Sequence, residues 1–284
     1  MLKFKELIYL YRLAPWGNKL RSFRMLGYTM LGYLMSGSFN LSAILINTLA
    51  VFGVLLFGFL INDFYDYKIQ REINFIGFKI EEGSLKKREF FLYLLIPLFL
   101  VFPIFFIGRF ISVSKIFLIS IFAGLFLIIF YSVPPLRLKE RKIAGFLVSP
   151  FAVSFLFLES FSLLKQPELE IYLFVIIIFL FQCYLETLHS IKDFHDPKEI
   201  TKMTLKDSLR FLKIFSLISF SASLFLSFIN RFFIITAPFS LLRLKALENL
   251  DIGAIQKTRT NLFSPVLSLY EFGFYGILGI LNIF

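Results

Sequence analysis

The 284-residue chain is 58% hydrophobic and 17% charged, with 41 phenylalanines and a mean hydropathy of +0.79. Soluble domains average about 25% charged residues, so this composition excludes a water-soluble globule and makes the bilayer the solvent. The net charge of +11 sits in the loops between apolar runs and calls for no nucleic-acid partner. A single cysteine, Cys183, excludes an intramolecular disulfide and a cysteine-built zinc site.

Residues 1–24 alternate basic and apolar side chains (Lys3, Lys5, Arg12, Lys19, Arg21, Arg24) and lack a signal-peptide cleavage site. This pattern predicts an amphipathic cytoplasmic arm on an anionic leaflet, with Trp16 at the headgroups. Crossing the hydrocarbon core takes about 20 apolar residues. Apolar runs at 25–38, 41–61, 90–108, 116–133, 143–164, 171–191, 209–228, 232–247 and 261–283 predict about nine transmembrane helices in one domain, 1–284. All but four of the 30 basic residues (Arg109, Lys115, Lys165, Arg231) fall on the side of the N-terminus and the even loops. Basic residues stay on the cytoplasmic side, which places those loops there. The expected location is the cell (inner) membrane.

The second span closes in Asn62, Asp63 and Asp66, and the sixth in Lys192, Asp193 and Asp196, with Glu199 following. Aspartates three apart on a helix share a face. Close carboxylates repel unless a cation neutralises them, and Mg2+ takes one or two carboxylates together with phosphate oxygens. An acidic cluster that merely caps a loop is the alternative for either pair alone. Two such pairs at one membrane surface suit a diphosphate held between two metal sites. Intramembrane ionisable groups are functional candidates by default. Glu186 and His189, one turn before the second pair, are candidates to orient an acceptor or take its proton, ahead of the deeper Glu159 and Glu271.

These residues resemble the UbiA-type intramembrane prenyltransferases. That family's first signature, Asn-Asp-x-x-Asp-x-x-x-Asp, is matched by Asn62, Asp63 and Asp66. Its second, Lys-Asp-x-x-Asp-x-x-x-Asp, is matched by Lys192, Asp193 and Asp196. The run from Tyr131 through Pro134 and Pro135 to Arg137 and Lys139 is also similar to the family's. The third aspartates fall instead at Gln70 and Ile200. Of the element following the first motif, Gly83 and Lys79 remain.

The resemblance implies an all-α polytopic fold around a central cavity. It also implies Mg2+-dependent transfer of a prenyl group from a polyprenyl diphosphate to a lipophilic acceptor, a quinone-ring precursor or another lipid, within the membrane lipid. It makes Asp63, Asp66, Asp193 and Asp196 the metal and catalytic residues. Asn62, Lys79, Arg137, Lys139 and Lys192 become the diphosphate-binding residues. A noncatalytic lipid-binding or scaffold homologue, motivated by Gln70 and Ile200, is the competing reading. An ion-coupled transporter using Glu159, Glu186 and Glu271 is a third.

Overall fold

In hydrocarbon a backbone polar group has no water to bond, so an apolar run becomes a helix that satisfies its own N–H and C=O groups. The computed structural model describes residues 2–13, 22–109, 114–192, 204–248 and 263–281, and its regular elements there are helical. A short α1 (Phe4–Leu10) precedes α2 (Ser22–Ser36) and α3 (Leu41–Tyr65). The latter widens into a π-helical turn at Asp66–Gln70. Next come α4 (Phe75–Glu81), α5 (Lys87–Val101) with a 3-10 extension at Phe102–Arg109, α6 (Lys115–Ser132) and α7 (Lys142–Leu164). The rest are α8 (Leu169–Lys192), α9 (Leu205–Ile229), α10 (Thr236–Glu248) and α11 (Phe263–Ile280).

Side chains that fold back onto exposed amides set several starts. Asn40 accepts from the Ala43 N–H at 3.1 Å before α3, Ser114 from Phe117 at 3.0 Å before α6, and Thr204 from Asp207 at 3.1 Å before α9.

Among the described residues six helices are long and apolar enough to cross a membrane, spanning Leu41–Gln70, Arg88–Ile107, Lys115–Ser132, Ile143–Leu164, Leu169–Leu188 and Lys206–Ile229. The other three expected spans coincide with α2, α10 and α11. Of these, α2 and α10 are only 15 and 13 residues long. Among the described residues, length and hydropathy identify six of the nine expected spans.

Lipid tails are as apolar as leucine, so helices associate through close packing rather than escape from water. Gly32 on α2 meets the Phe157 carbonyl and Ser160 hydroxyl of α7 where any side chain would collide, which lets the two backbones approach. Met35, Phe157, Phe174, Ile178 and Tyr275 fill the seam between α2, α7, α8 and α11, all fully buried. Over half of α7 and of α8 is buried (56% each) against 17% of α6, so α7 and α8 run through the middle and α6 faces lipid. Phe99, Phe126 and Phe228 point outward, where a soluble protein would not keep them.

A second cluster closes one end of the molecule. Leu10 and Tyr11 beside α1 pack with Leu60 and Phe64 of α3, Ile76 of α4 and Phe90 of α5. The Phe64 and Phe90 rings stack at 4.5 Å. Residues 2–13 of the N-terminal arm thus pack across the end of α3.

Candidate active site

The helix of α3 runs past residue 61, so Asn62 and Asp63 lie on its last turn and Asp66 directly follows it. Asp66 opens the π-helical turn, a feature that often marks functional positions. Both aspartates are buried, 5% and 6% exposed, so each needs its own compensating charge.

The two carboxylates face different partners, which relieves their mutual repulsion. Asp63 accepts from Arg12 in a fork: Nε lies 2.9 Å from Oδ2, and Nη2 pairs with Oδ1. Asn74 donates to the Asp63 carbonyl at 2.6 Å and accepts from the Gly77 N–H at 2.9 Å, tying α3 to the start of α4. Asp66 accepts from Asn62 Nδ2 at 2.9 Å, ion-pairs with Lys139, and has Arg137 Nη2 at 3.5 Å.

Asn62 also accepts on Oδ1 from Ser132 at 3.0 Å and from Lys139 at 3.4 Å. Arg137 is 4% exposed, pairs with Glu140, and donates to the Tyr65 carbonyl at 3.3 Å. It holds a left-handed backbone with φ 33, a conformation that the turn between α6 and α7 imposes. Gly145 at the start of α7 permits this: a Cβ there would lie 2.9 Å from the carbonyls of Leu138 and Lys139. The turn can settle onto α7 and aim Lys139 at Asp66. Both ion pairs of Asp66 converge on one atom, Oδ1, which Lys139 Nζ and Arg137 Nη2 approach together.

Asn62, Asp66, Arg137 and Lys139 are therefore brought together, and Asp63, next to Asn62, pairs with Arg12. Lys79 is not among them: it ion-pairs with Glu6 at 2.7 Å and Glu82 at 2.8 Å, linking α1 to α4. Those contacts lower both glutamate pKa values, and the same bonds raise that of Lys79. Glu186 on α8 accepts from Gln182 at 3.1 Å, and Gln182 also reaches Ser149 of α7. His189 and Lys192 lie on the backbone of α8, with side chains outside the described residues. Asp193 and Asp196 lie wholly outside them. Among the described residues no three His, Cys, Asp or Glu side chains gather as a metal cage.

Deeper glutamates have separate surroundings. Glu271 pairs with Arg243, whose guanidinium lies 4.5 Å above the Phe181 ring. Glu159 is 2% exposed with both oxygens lacking a hydrogen bond. Sequence reasoning missed Arg12 as a site residue, and also Asn74 and Ser132. Arg12 carried no signal because its partner is 51 residues away.

The UbiA prenyltransferase family model matches residues 25–247. No curated protein sequence matches the chain. Among solved structures, a UbiA homolog from Archaeoglobus fulgidus bound to GPP and Mg2+ is similar, with a TM-score of 0.71, 16% identity, and coverage of 97% of this chain and 99% of that one. The same homolog bound to DMAPP and Mg2+ gives 0.72 at 16% identity over the same shares. A structure of digeranylgeranylglyceryl phosphate synthase gives 0.64 at 20% identity, covering 97% and 96%. At these identities the likeness shows the fold, while the match of the family model over most of the length settles the membership: this integral membrane chain belongs to the UbiA prenyltransferase family.

Proposed function

We propose that this protein transfers a prenyl group from a polyprenyl diphosphate to a lipophilic acceptor within the bilayer, using Mg2+. The observation that carries the reading is the buried group at the end of α3, where Asp66 meets Arg137 and Lys139 and the neighbouring Asp63 meets Arg12. Asp63, Asp66 and the Asn62 amide oxygen form an all-oxygen donor set, which fits Mg2+ with phosphate oxygens. Asp66 Oδ1 now pairs with Lys139 and faces Arg137 Nη2 at 3.5 Å; a cation on that oxygen would leave both basic side chains to a phosphate. The homologues bound to GPP or DMAPP with Mg2+ support this assignment.

Mg2+, when bound, neutralises charge developing on the departing diphosphate. Arg137 grips the diphosphate as a planar fork, and Lys139 adds a point charge. Asn62 holds Asp66 in place through its 2.9 Å bond. Asp193, Asp196 and Lys192, at the end of α8, supply the second half of the site. Glu186 and His189 orient the acceptor or take its proton. Phenylalanine faces along the helices receive the tail and stabilise an allylic cation. The basic loops face the cytoplasm, in the cell membrane, and the chain forms one domain.

The test is release of diphosphate from labelled prenyl diphosphates of several chain lengths, with Mg2+ and a panel of acceptors. Asp63→Ala and Asp193→Ala are expected to lower release on the order of 100-fold. A noncatalytic scaffold is the second reading, favoured by the Arg12 fork that engages both oxygens of Asp63. Absence of release for every chain length and acceptor establishes that reading instead.

A further inference from the structure

We propose that Arg12 is a built-in competitor for the divalent cation at Asp63, and that α1 is a cover whose docking is coupled to the metal-free site. The inference rests on the reading of Asp63 as a metal ligand. The Arg12 guanidinium engages both carboxylate oxygens of Asp63 and lies 4.9 Å from the centre of the Phe59 ring. Both partners are buried, at 9% and 5% exposure. A guanidinium fork uses the carboxylate lone pairs that an inner-sphere cation needs. The fork takes one lone pair on each oxygen, and a divalent cation on the same buried carboxylate would face the like charge of the guanidinium, so metal at Asp63 and Arg12 oppose each other.

The segment carrying Arg12 is built to hold it there. Its backbone is left-handed, with φ 51, uncommon for a residue with a Cβ. The chain before it is pinned at points away from the aspartates. Leu2 N–H donates to the Tyr93 hydroxyl at 2.9 Å, the Tyr11 hydroxyl donates to the Tyr93 carbonyl at 2.8 Å, and Glu6 pairs with Lys79 at 2.7 Å. Leu10 and Tyr11 sit in the cluster over the end of α3. Displacing Arg12 removes the contact that joins this cover to the aspartate. Coupling of this kind is reciprocal: metal weakens docking by the factor by which docking weakens metal.

The experiment is Mn2+ titration of the full-length protein in detergent, read by the loss of the free-ion electron paramagnetic resonance signal, without substrate. Hydrogen exchange of residues 2–12 is followed in parallel. Arg12→Gln is expected to bind Mn2+ about tenfold more tightly than wild type, within the usual range of site coupling. In the wild type, Mn2+ is expected to accelerate exchange in α1. Should Arg12→Gln fail to fold, Glu6→Gln loosens the cover with Arg12 and Asp63 intact, and about two- to threefold tighter binding is expected. Equal or weaker Mn2+ affinity in the variants, with binding retained, overturns the competitor and leaves the metal site standing. No Mn2+ binding by wild type or variants overturns both.

Discussion

At the scale of single residues, the site is a balance of buried charge. Arg137 points Nη2 at Asp66, 3.5 Å from its Oδ1. Arg137→Gln is expected to raise the KM for a prenyl diphosphate by about tenfold or more, since one charge-assisted bond contributes about 1.5–3 kcal/mol. Initial rates over a substrate series measure this, and an unchanged KM removes Arg137 from the site. Lys79→Ala is expected to leave that KM near wild type, because its two carboxylate partners hold it between α1 and α4. The aspartate motif was legible in the sequence because its geometry is local: helical spacing alone puts Asp63 and Asp66 within one turn. Arg12 was not, because only the folding of α1 back over α3 brings it to Asp63.

At the scale of elements, the starts and ends of helices decide where the chemistry sits. The apolar run 41–61 was legible as a span. Its continuation through Tyr65 into a π-helical turn was not, because Asn62, Asp63 and Asp66 are polar and their place in the helix depends on partners from α1 and the turn before α7. Gly145 fixes that turn. Gly145→Val is expected to push the Leu138–Glu140 turn away, costing about 1–3 kcal/mol as overpacking does. It is further expected to lower the diphosphate affinity by displacing Lys139, as isothermal titration would read; unchanged affinity separates the turn from the site.

Docking of α1 also has a pH dependence. Glu6 and Glu82 are depressed below 4.5 by Lys79, so their contribution is complete above 4.5 and is lost as pH falls through the depressed values. Lys79 is raised above 10.5, so its contribution is complete below 10.5 and is lost only at more alkaline pH. The protection factor of α1 amides, exchange relative to the unstructured rate at the same pH, is therefore expected to be governed by neither transition between about pH 5 and about pH 10, and to fall in acid. Glu6→Gln should remove part of the acid response.

At the scale of the whole molecule, hydropathy showed a polytopic helical membrane protein. The packing between helices was not legible, because in a chain with 41 phenylalanines nothing in the pattern separates Phe157, fully buried, from Phe228, 88% exposed. The Arg243–Glu271 pair between α10 and α11 belongs to this level. Removing one partner of a buried pair leaves a stranded charge, so Glu271→Ala is expected to cost about 3–5 kcal/mol. Replacing the pair together by Met and Leu is expected to be near neutral. Thermal unfolding in detergent distinguishes the two, and equal losses would place the stability in packing alone.

The central claim is that the α3 aspartates and those following α8 hold one metal-bound diphosphate. It is tested most directly by anomalous scattering from crystals grown with Mn2+ and a non-hydrolysable prenyl thiodiphosphate. The account predicts Mn2+ coordinated by Asp63 or Asp66 and by Asp193 or Asp196, bridged by the diphosphate, with Arg137 and Lys139 on its oxygens. Mn2+ bound elsewhere, or a diphosphate away from the end of α3, would contradict it.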